Sequence, residues 1–481
     1  MKKVLKWIAI VVLLPVVLVA MLAGALYIPA VQNWAVQKVA RVASEKTGMD
    51  ITVEHVHLAF PLDLSVEGLR ILKQNDSLPQ QRDTVADVRR LVVDVQLLPL
   101  FKNRVEIDAL DFHDMRFNTT DFVKEARVKG SAGRLSLQSH GIDLKAETMR
   151  IDDALLADAD VHVVLNDSVP EDTTESENRW KILVDRLNIE RSQVNLTMPG
   201  DTTRAYINIG KMAADSGAFD LAKSDYRIGH LNWSDGQLAY DNRFSPRQPG
   251  LDYNHLSVTD IQIDADSLSY KSGPTSPSSS PSSPVSSNAD SIRISPFQLS
   301  LNLKKASLKE KCGLQIDELS GHVKLDEKQL QLPDMRLRTP ESSIDAQVAM
   351  DMNTFDGQHP GEMNITTNAS IGKQDIVKIL GSSGVKEFRS SDITSRMLAR
   401  WPNQPLTVKG VVRGNMKQLR LVGVNAKLPS AFDINASGTI ANLDRPDRLK
   451  ADLNLDAKAH DIGFISQMVP PETMGGVGIP K

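Results

Sequence analysis

A single cysteine, Cys312, stands in 481 residues, so no internal disulfide can staple the chain. That leaves the compartment open, because exported proteins also do without disulfides. Aromatic residues are few: 12 Phe, 6 Tyr and 5 Trp, below what a large globular enzyme usually buries. Neither sign of charge dominates. The 56 Lys+Arg against 60 Asp+Glu give a net charge of −4 and a pI near 6.2, which argues against the basic footprint of a nucleic-acid binder. Catalytic signatures are missing as well: no G-x-S-x-G, Walker loop, H-E-x-x-H or Cys/His cluster with metal spacing occurs. His55 and His57 share a strand face without a third ligand. Asp158 with Asp160, and Asp264 with Asp266, read as solvated turn carboxylates rather than a calcium loop. The expectation is no active site, no metal and no cofactor.

What is present begins at the N-terminus. Lys2, Lys3 and Lys6 precede an apolar run from Trp7 to Ile28, 22 residues long, enough to cross a ~30 Å hydrocarbon core as a helix. The lysines favour leaving that end in the cytoplasm. A signal peptide cut near Ala23-Gly24-Ala25 competes, but its apolar region is usually only ~7–15 residues, so an uncleaved anchor is expected. From Pro29, Val31, Trp34, Val36, Val39, Ala40 and Val42 follow at helical spacing up to Gly48, predicting an amphipathic helix packed on its own domain.

From Ile51 the period changes from about 3.6 to 2 and stays there nearly to the end. Short polar stretches interrupt the alternation: Asp152-Asp153, Glu190-Arg191-Ser192, Ser234-Asp235-Gly236 and Asp326-Glu327-Lys328. Read as turns, they give an antiparallel meander of unequal hairpins with roughly 25–30 strands, about 120–145 Å along the stack.

An apolar-x-apolar-x4-apolar-x-apolar frame recurs at Leu187/Ile189/Val194/Leu196, Leu231/Trp233/Leu238/Tyr240, Ile261/Ile263/Leu268/Tyr270 and Val323/Leu325/Leu330/Leu332. Chance alone matches this frame roughly a dozen times, and the version with polar residues elsewhere about half a time. Two windows pass the stricter form, 187–196 and 323–332. A sheet with one apolar face must cover it, by a second sheet, by helices or by curling onto itself. Too few helical residues exist to do so. A second sheet and a curled sheet completed by acyl chains both satisfy the pattern; for the curled sheet the candidate lining is Leu187, Ile189, Val194, Leu196, Leu231, Trp233, Leu238, Tyr240, Ile261, Ile263, Val323, Leu325, Leu330 and Leu332.

The stretch Lys46-Thr47-Gly48-Met49-Asp50-Ile51-Thr52-Val53, followed by Val56-His57-Leu58-Ala59-Phe60-Pro61-Leu62-Asp63-Leu64-Ser65-Val66-Glu67-Gly68-Leu69, resembles the opening of the AsmA/TamB family of bacterial envelope proteins. Leu337 to Ile344, Val411 to Leu419 and Gly438 to Leu443 agree with it; the Ser/Pro-rich stretch 272–291 does not belong to the pattern. The resemblance implies an inner-membrane span and a long periplasmic β-groove with an apolar interior. It implies phospholipid as the groove's cargo, or a role in outer-membrane protein assembly with a β-barrel partner. A scaffold with a dry sandwich core is the remaining alternative.

The expected organisation is a cytoplasmic tail (1–6), a transmembrane helix (7–28), an amphipathic periplasmic helix (29–48) and a first β-groove segment (49–271). A flexible insert (272–291) and a second β segment (292–481) follow, with helical islands near 372–401 and 461–468. Asn454 to Ala459 reads as strand, and the tail beyond Met468 offers nothing to cover it, so the chain is expected to be the first part of a longer conduit.

Overall fold

The computed structural model describes residues 29–59, 63–74, 82–95, 107–119, 126–143, 146–166, 179–248, 250–272, 297–354, 359–380, 401–443, 445 and 448–461. The described residues are mainly β, with twenty strands and two α-helices. No described helix is long and apolar enough to cross a membrane. The expected span 7–28, residues 273–296 around the Ser/Pro stretch, residues 381–400 of the expected island 372–401 and residues 462–468 of the island 461–468 lie outside the described residues.

The chain divides into two compact units, Met1–Glu175 with Ile182–Arg204, and Ser176–Lys181 with Ala205–Lys481. In the first, α1 (Pro29–Thr47) precedes β1 (Asp50–Thr52), β2 (His55–Ala59), β3 (Asp63–Gln74), β4 (Arg82–Val95), β5 (Ile107–Asn118), β6 (Ala126–Asp143), β7 (Thr148–Leu165) and β8 (Lys181–Thr197). Strands β3 to β7 pair antiparallel in sequence, and β1 and β2 both lie on β3. Helix α1 stops at Gly48 and covers β1 and β2. Ser44 Oγ accepts from the Ile51 N–H at 2.9 Å and Asn33 Oδ1 from the Val56 N–H at 3.3 Å. Trp34, expected on the buried stripe, is 65% exposed under Lys38, while Gln32 and Ala40 are buried. The polar bonds to the strand edge set the helix's rotation there.

The second unit continues with β9 (Thr203–Asp220), β10 (Asp225–Asn242), β11 (His255–Ser272), β12 (Phe297–Glu310), β13 (Gln315–Asp326), β14 (Gln329–Arg338), β15 (Ser343–Asp351) and β16 (Met363–Ile371). After α2 (Lys373–Leu380) come β17 (Leu406–Gly414), β18 (Gln418–Leu428), β19 (Phe432–Ala441) and β20 (Lys450–Ala459). Strand β9 pairs with β10, and each strand from β10 to β20 pairs antiparallel with the next, leaving an open sheet. The Ser/Pro stretch does not interrupt it: Ser272 pairs with Phe297.

The strands are fewer and longer than the alternation suggested, several of them 18 residues. Three of the four stretches expected to be turns lie inside strands: Asp152-Asp153 in β7, Glu190-Arg191-Ser192 in β8 and Ser234-Asp235-Gly236 in β10. Only Asp326-Glu327-Lys328 closes a hairpin, with Asp326 Oδ1 accepting from the Lys328 and Gln329 N–H groups. Elsewhere the backbone takes a positive φ in mid-strand, at Arg191 (45°), Asp235 (53°), Asp260 (54°) and Ser267 (56°). Such a residue makes a β-bulge, which bends the strand and adds one to the count. The same short polar residues suit both a turn and a bulge, so only the pairing partners decide between them.

Candidate functional site

Residues directly opposite in antiparallel strands share a face, so the register can be followed across a whole sheet. In the second unit one row runs Tyr226, Tyr270, Leu299, Leu325, Leu330, Met350. It continues through Met363, Gly414, Leu419, Ile440 and Ala451. A second row runs Trp233, Ile263, Ala306, Leu319, Leu337, Ile344. It continues through Ala369, Val408, Ala426, Ile434 and Ala457. Both cross every strand from β10 to β20 without a charged side chain, roughly 48 Å at a strand spacing of ~4.8 Å. The neighbouring row on the opposite face is polar but for Ala349: Lys324, Gln331, Ala349, Asn364, Arg413, Arg420, Thr439 and Asp452.

Four of the fourteen residues singled out by the sequence, Trp233, Ile263, Leu325 and Leu330, stand in these rows, and others pair beside them. Leu325 and Leu330 are a cross-strand pair, as are Trp233 and Ile263; Leu231 pairs with Ala265, Val323 with Leu301 and Leu332 with Val348. Leu238 pairs with Val258, Tyr240 with Leu256 and Ile261 with Gly236. The bulges explain how one frame serves both a hairpin and a continuous strand. Val258 and Ile263 are five apart, which in a regular strand would put them on opposite faces. Their partners on β12, Glu310 and Ala306, are four apart, so the bulge at Asp260 returns both to one face. In β8 the positive φ at Arg191 falls between Ile189 and Val194 in the same way, and Leu187, Ile189, Val194 and Leu196 are all half-buried. Flanking lysines Lys2, Lys3 and Lys6 lie outside the described residues.

Burial separates this sheet from a sandwich core. Of the second row only Ala306 and Ala369 are buried; the branched residues remain half-exposed. Among the described residues, two packed clusters are small. One is Ala265, Leu303 and Ala306; another is Trp401, Leu428 and Ala431, with Ile376 of α2 against it. Helix α2 is tied there by Asp375, which accepts from the hydroxyls of Thr339 and Ser342 in the β14–β15 turn. Its carboxylate is 4% exposed, a clasp the sequence reading missed although Asp375 sits in the first turn of the helix. Also missed was an aromatic ladder, Phe219–Tyr226–Tyr270–Phe297, with ring centroids 6.1–6.3 Å apart, since its members come from four strands.

Polar groups cluster elsewhere. Asp264 and Asp266, expected in a turn, sit within β11, where His230 Nδ1 lies 2.8 Å from Asp266 and 3.7 Å from Asp264. The three residues bring ligand atoms within 4.8 Å of one another. Lys304 Nζ, 2.7 Å from Asp266, already supplies the positive charge, and with His230 it lowers the Asp266 pKa. Asp158, likewise inside a strand, is bound at both oxygens by Arg191, which holds its carboxyl below the usual range. Such exposed or partly exposed pairs each contribute little to stability. No family model, curated protein or solved structure matches the chain.

Proposed function

We propose that the apolar face of this sheet carries the acyl chains of phospholipid, as an AsmA/TamB-like conduit. In this reading residues 7–28 anchor the chain in a bacterial inner membrane, and the strands stand in the periplasm, passing lipid towards the outer membrane. The observation that carries it is the pair of uncharged apolar rows, continuous from β10 to β20 and left half-exposed. Each methylene moved from water onto such a surface gains about 0.8 kcal/mol, whereas a headgroup gains nothing there and stays in solvent. With no charge along the rows, a chain meets no desolvation step as it moves from strand to strand.

The test is photo-crosslinking in cells. A benzophenone side chain at Leu330 should capture phospholipid, and one at the adjacent Gln331, on the opposite face, should not. Equal capture at the two positions, or no lipid in the purified full-length protein by native mass spectrometry, would refute the reading.

A further inference from the structure

An acyl chain needs no aromatic lining, yet the ladder Phe219–Tyr226–Tyr270–Phe297 lies on the apolar face, where the strands end. Phe219 is the penultimate residue of β9, Tyr226 the second of β10 and Phe297 the first of β12, while Tyr270 stands two before the end of β11. The rings of Tyr226 and Tyr270 are stacked, with planes 3° apart. Neither phenol hydroxyl is hydrogen-bonded to a described residue, and Tyr270 is 38% exposed. Inward from the rings, the same face runs along β10 and β11 as Ile228 with Leu268, Leu231 with Ala265 and Trp233 with Ile263. The β12 partners of Tyr270 and Ala265, Leu299 and Leu303, are four apart, so the bulge at Ser267 keeps both on this face. Tyr226 to Trp233 measures roughly 23 Å at ~3.3 Å per residue. One leaflet's chains reach about 15 Å, half of a ~30 Å hydrocarbon core. A chain starting at the ladder therefore fits on this face.

Just past the rings the surface turns cationic. Lys223, in the β9–β10 turn, and Lys271, next to Tyr270, are exposed, and neither has an ion-pair partner among the described residues. Asp225, close enough to feel both charges, is occupied at both oxygens by Arg227, at 2.9 and 2.7 Å. At the opposite strand ends the same face is packed shut: Leu428 is fully buried in the Trp401 cluster against which Ile376 of α2 lies.

We propose that the Tyr226–Tyr270 pair seats the glycerol-ester region of a phospholipid. The acyl chains lie inward along β10 and β11, and the phosphate sits beyond the strand ends beside Lys223 and Lys271. This rests on the acyl-chain role of the sheet and adds to it the orientation of the lipid. A phenol suits that level because its ring faces the chains while its hydroxyl donates to an ester or phosphate oxygen. Tyrosine gathers at the same depth of a bilayer for the same reason. The two ammonium groups add charge-assisted hydrogen bonds to the phosphate.

For the test, full-length protein is reconstituted in vesicles of phosphatidylethanolamine and phosphatidylglycerol that carry a photoreactive phosphatidylethanolamine. One analogue bears the reactive group on its headgroup, the other at the end of an acyl chain. Peptide mapping should place the headgroup label at 219–227 and 269–271, and the acyl label deeper along β10 and β11. Tyr226→Phe with Tyr270→Phe keeps the stacked rings and should lower headgroup labelling there several-fold, with circular dichroism confirming the fold. Lys223→Glu with Lys271→Glu should do the same, but should leave labelling by a diacylglycerol analogue, which has no phosphate, as it was. Equal labelling of the ladder by both phospholipid analogues, or headgroup labelling indifferent to either double variant, would overturn the proposal. So would a benzophenone at Tyr270 that captures protein in place of lipid. In each of these cases acyl labelling at Leu330 would still uphold the conduit, whereas no labelling of the folded protein by either analogue would overturn both.

Discussion

Arg191 donates from Nε and Nη2 to the two carboxylate oxygens of Asp158, at 2.7 and 3.0 Å, and both residues hold a positive φ in mid-strand. Beside them the Ala159 N–H donates to Ser192 Oγ at 3.2 Å. The bulges of two strands are thus fastened to each other. A β-branched residue tolerates this backbone region worst and glycine best. Asp158→Val should lower the urea midpoint clearly more than Asp158→Gly, although both remove the carboxylate. Equal losses would show that the ion pair, not the backbone, matters at this position.

On the proposed lipid reading, charge at the apolar lining positions should be costly for transport. Ile189→Asp and Leu325→Asp would each set a carboxylate in the path of an acyl chain, a desolvation barrier of several kcal/mol. Lipid transfer between vesicles or membranes should fall sharply, while Asn188→Asp and Lys324→Asp should change it little. Circular dichroism on each variant separates blocked passage from unfolding. Unfolding of Ile189→Asp and Leu325→Asp would identify these positions as ordinary core.

Gly438 is central to the attachment of β20. Its φ is +136°, and a Cβ there would run into the backbone of Asp452 and Leu453. Gly438→Ala should destabilise the β19–β20 pair by about 1–3 kcal/mol. Hydrogen exchange should then speed up across 450–459 with little change in β10 to β15.

The α2 clasp makes a third structural test. Asp375→Ala would strand the Thr339 and Ser342 hydroxyls, which both donate to the Asp375 carboxylate, at a cost of about 1–3 kcal/mol. Asp375→Asn keeps an acceptor and should lose less. Fluorescence of Trp401, in the cluster against which Ile376 packs, reports whether the helix detaches.

Acid stability follows from the depressed carboxyls. Burial raises the Asp252 pKa, but N–H donors from Gln248 and Asn254 and the His255 contact more than offset it. Lys304 lowers that of Asp266, and the backbone N–H and ring of His322 lower that of Asp334. A carboxyl depressed on folding contributes stability above its unfolded value, ~3.9, and loses it as pH falls through the folded value. Thermal stability should therefore decline below about pH 4, and Asp334→Asn should flatten that decline. An unchanged acid limb in the variant would assign the loss to other groups.

Period-2 alternation was enough to read a mainly β, antiparallel meander, because a half-buried strand marks each residue by the side it faces. The helix ending at Gly48 and the 325–330 hairpin were legible for the same local reasons: a helix terminator in one, a turn with a capping aspartate in the other. Strand length was not legible. Glu190-Arg191-Ser192 and Ser234-Asp235-Gly236 suit a turn and a bulge equally, and only pairing with neighbouring strands chooses the bulge. The same holds for the rows. Leu330 and Met350, or Ile344 and Ala369, become neighbours through register, which depends on bulges distributed over several strands. Side-chain chemistry along one strand determined which residues are apolar and on which alternate positions. Long-range backbone hydrogen bonding decided which of them meet, because a register is a property of two strands and is written in neither alone.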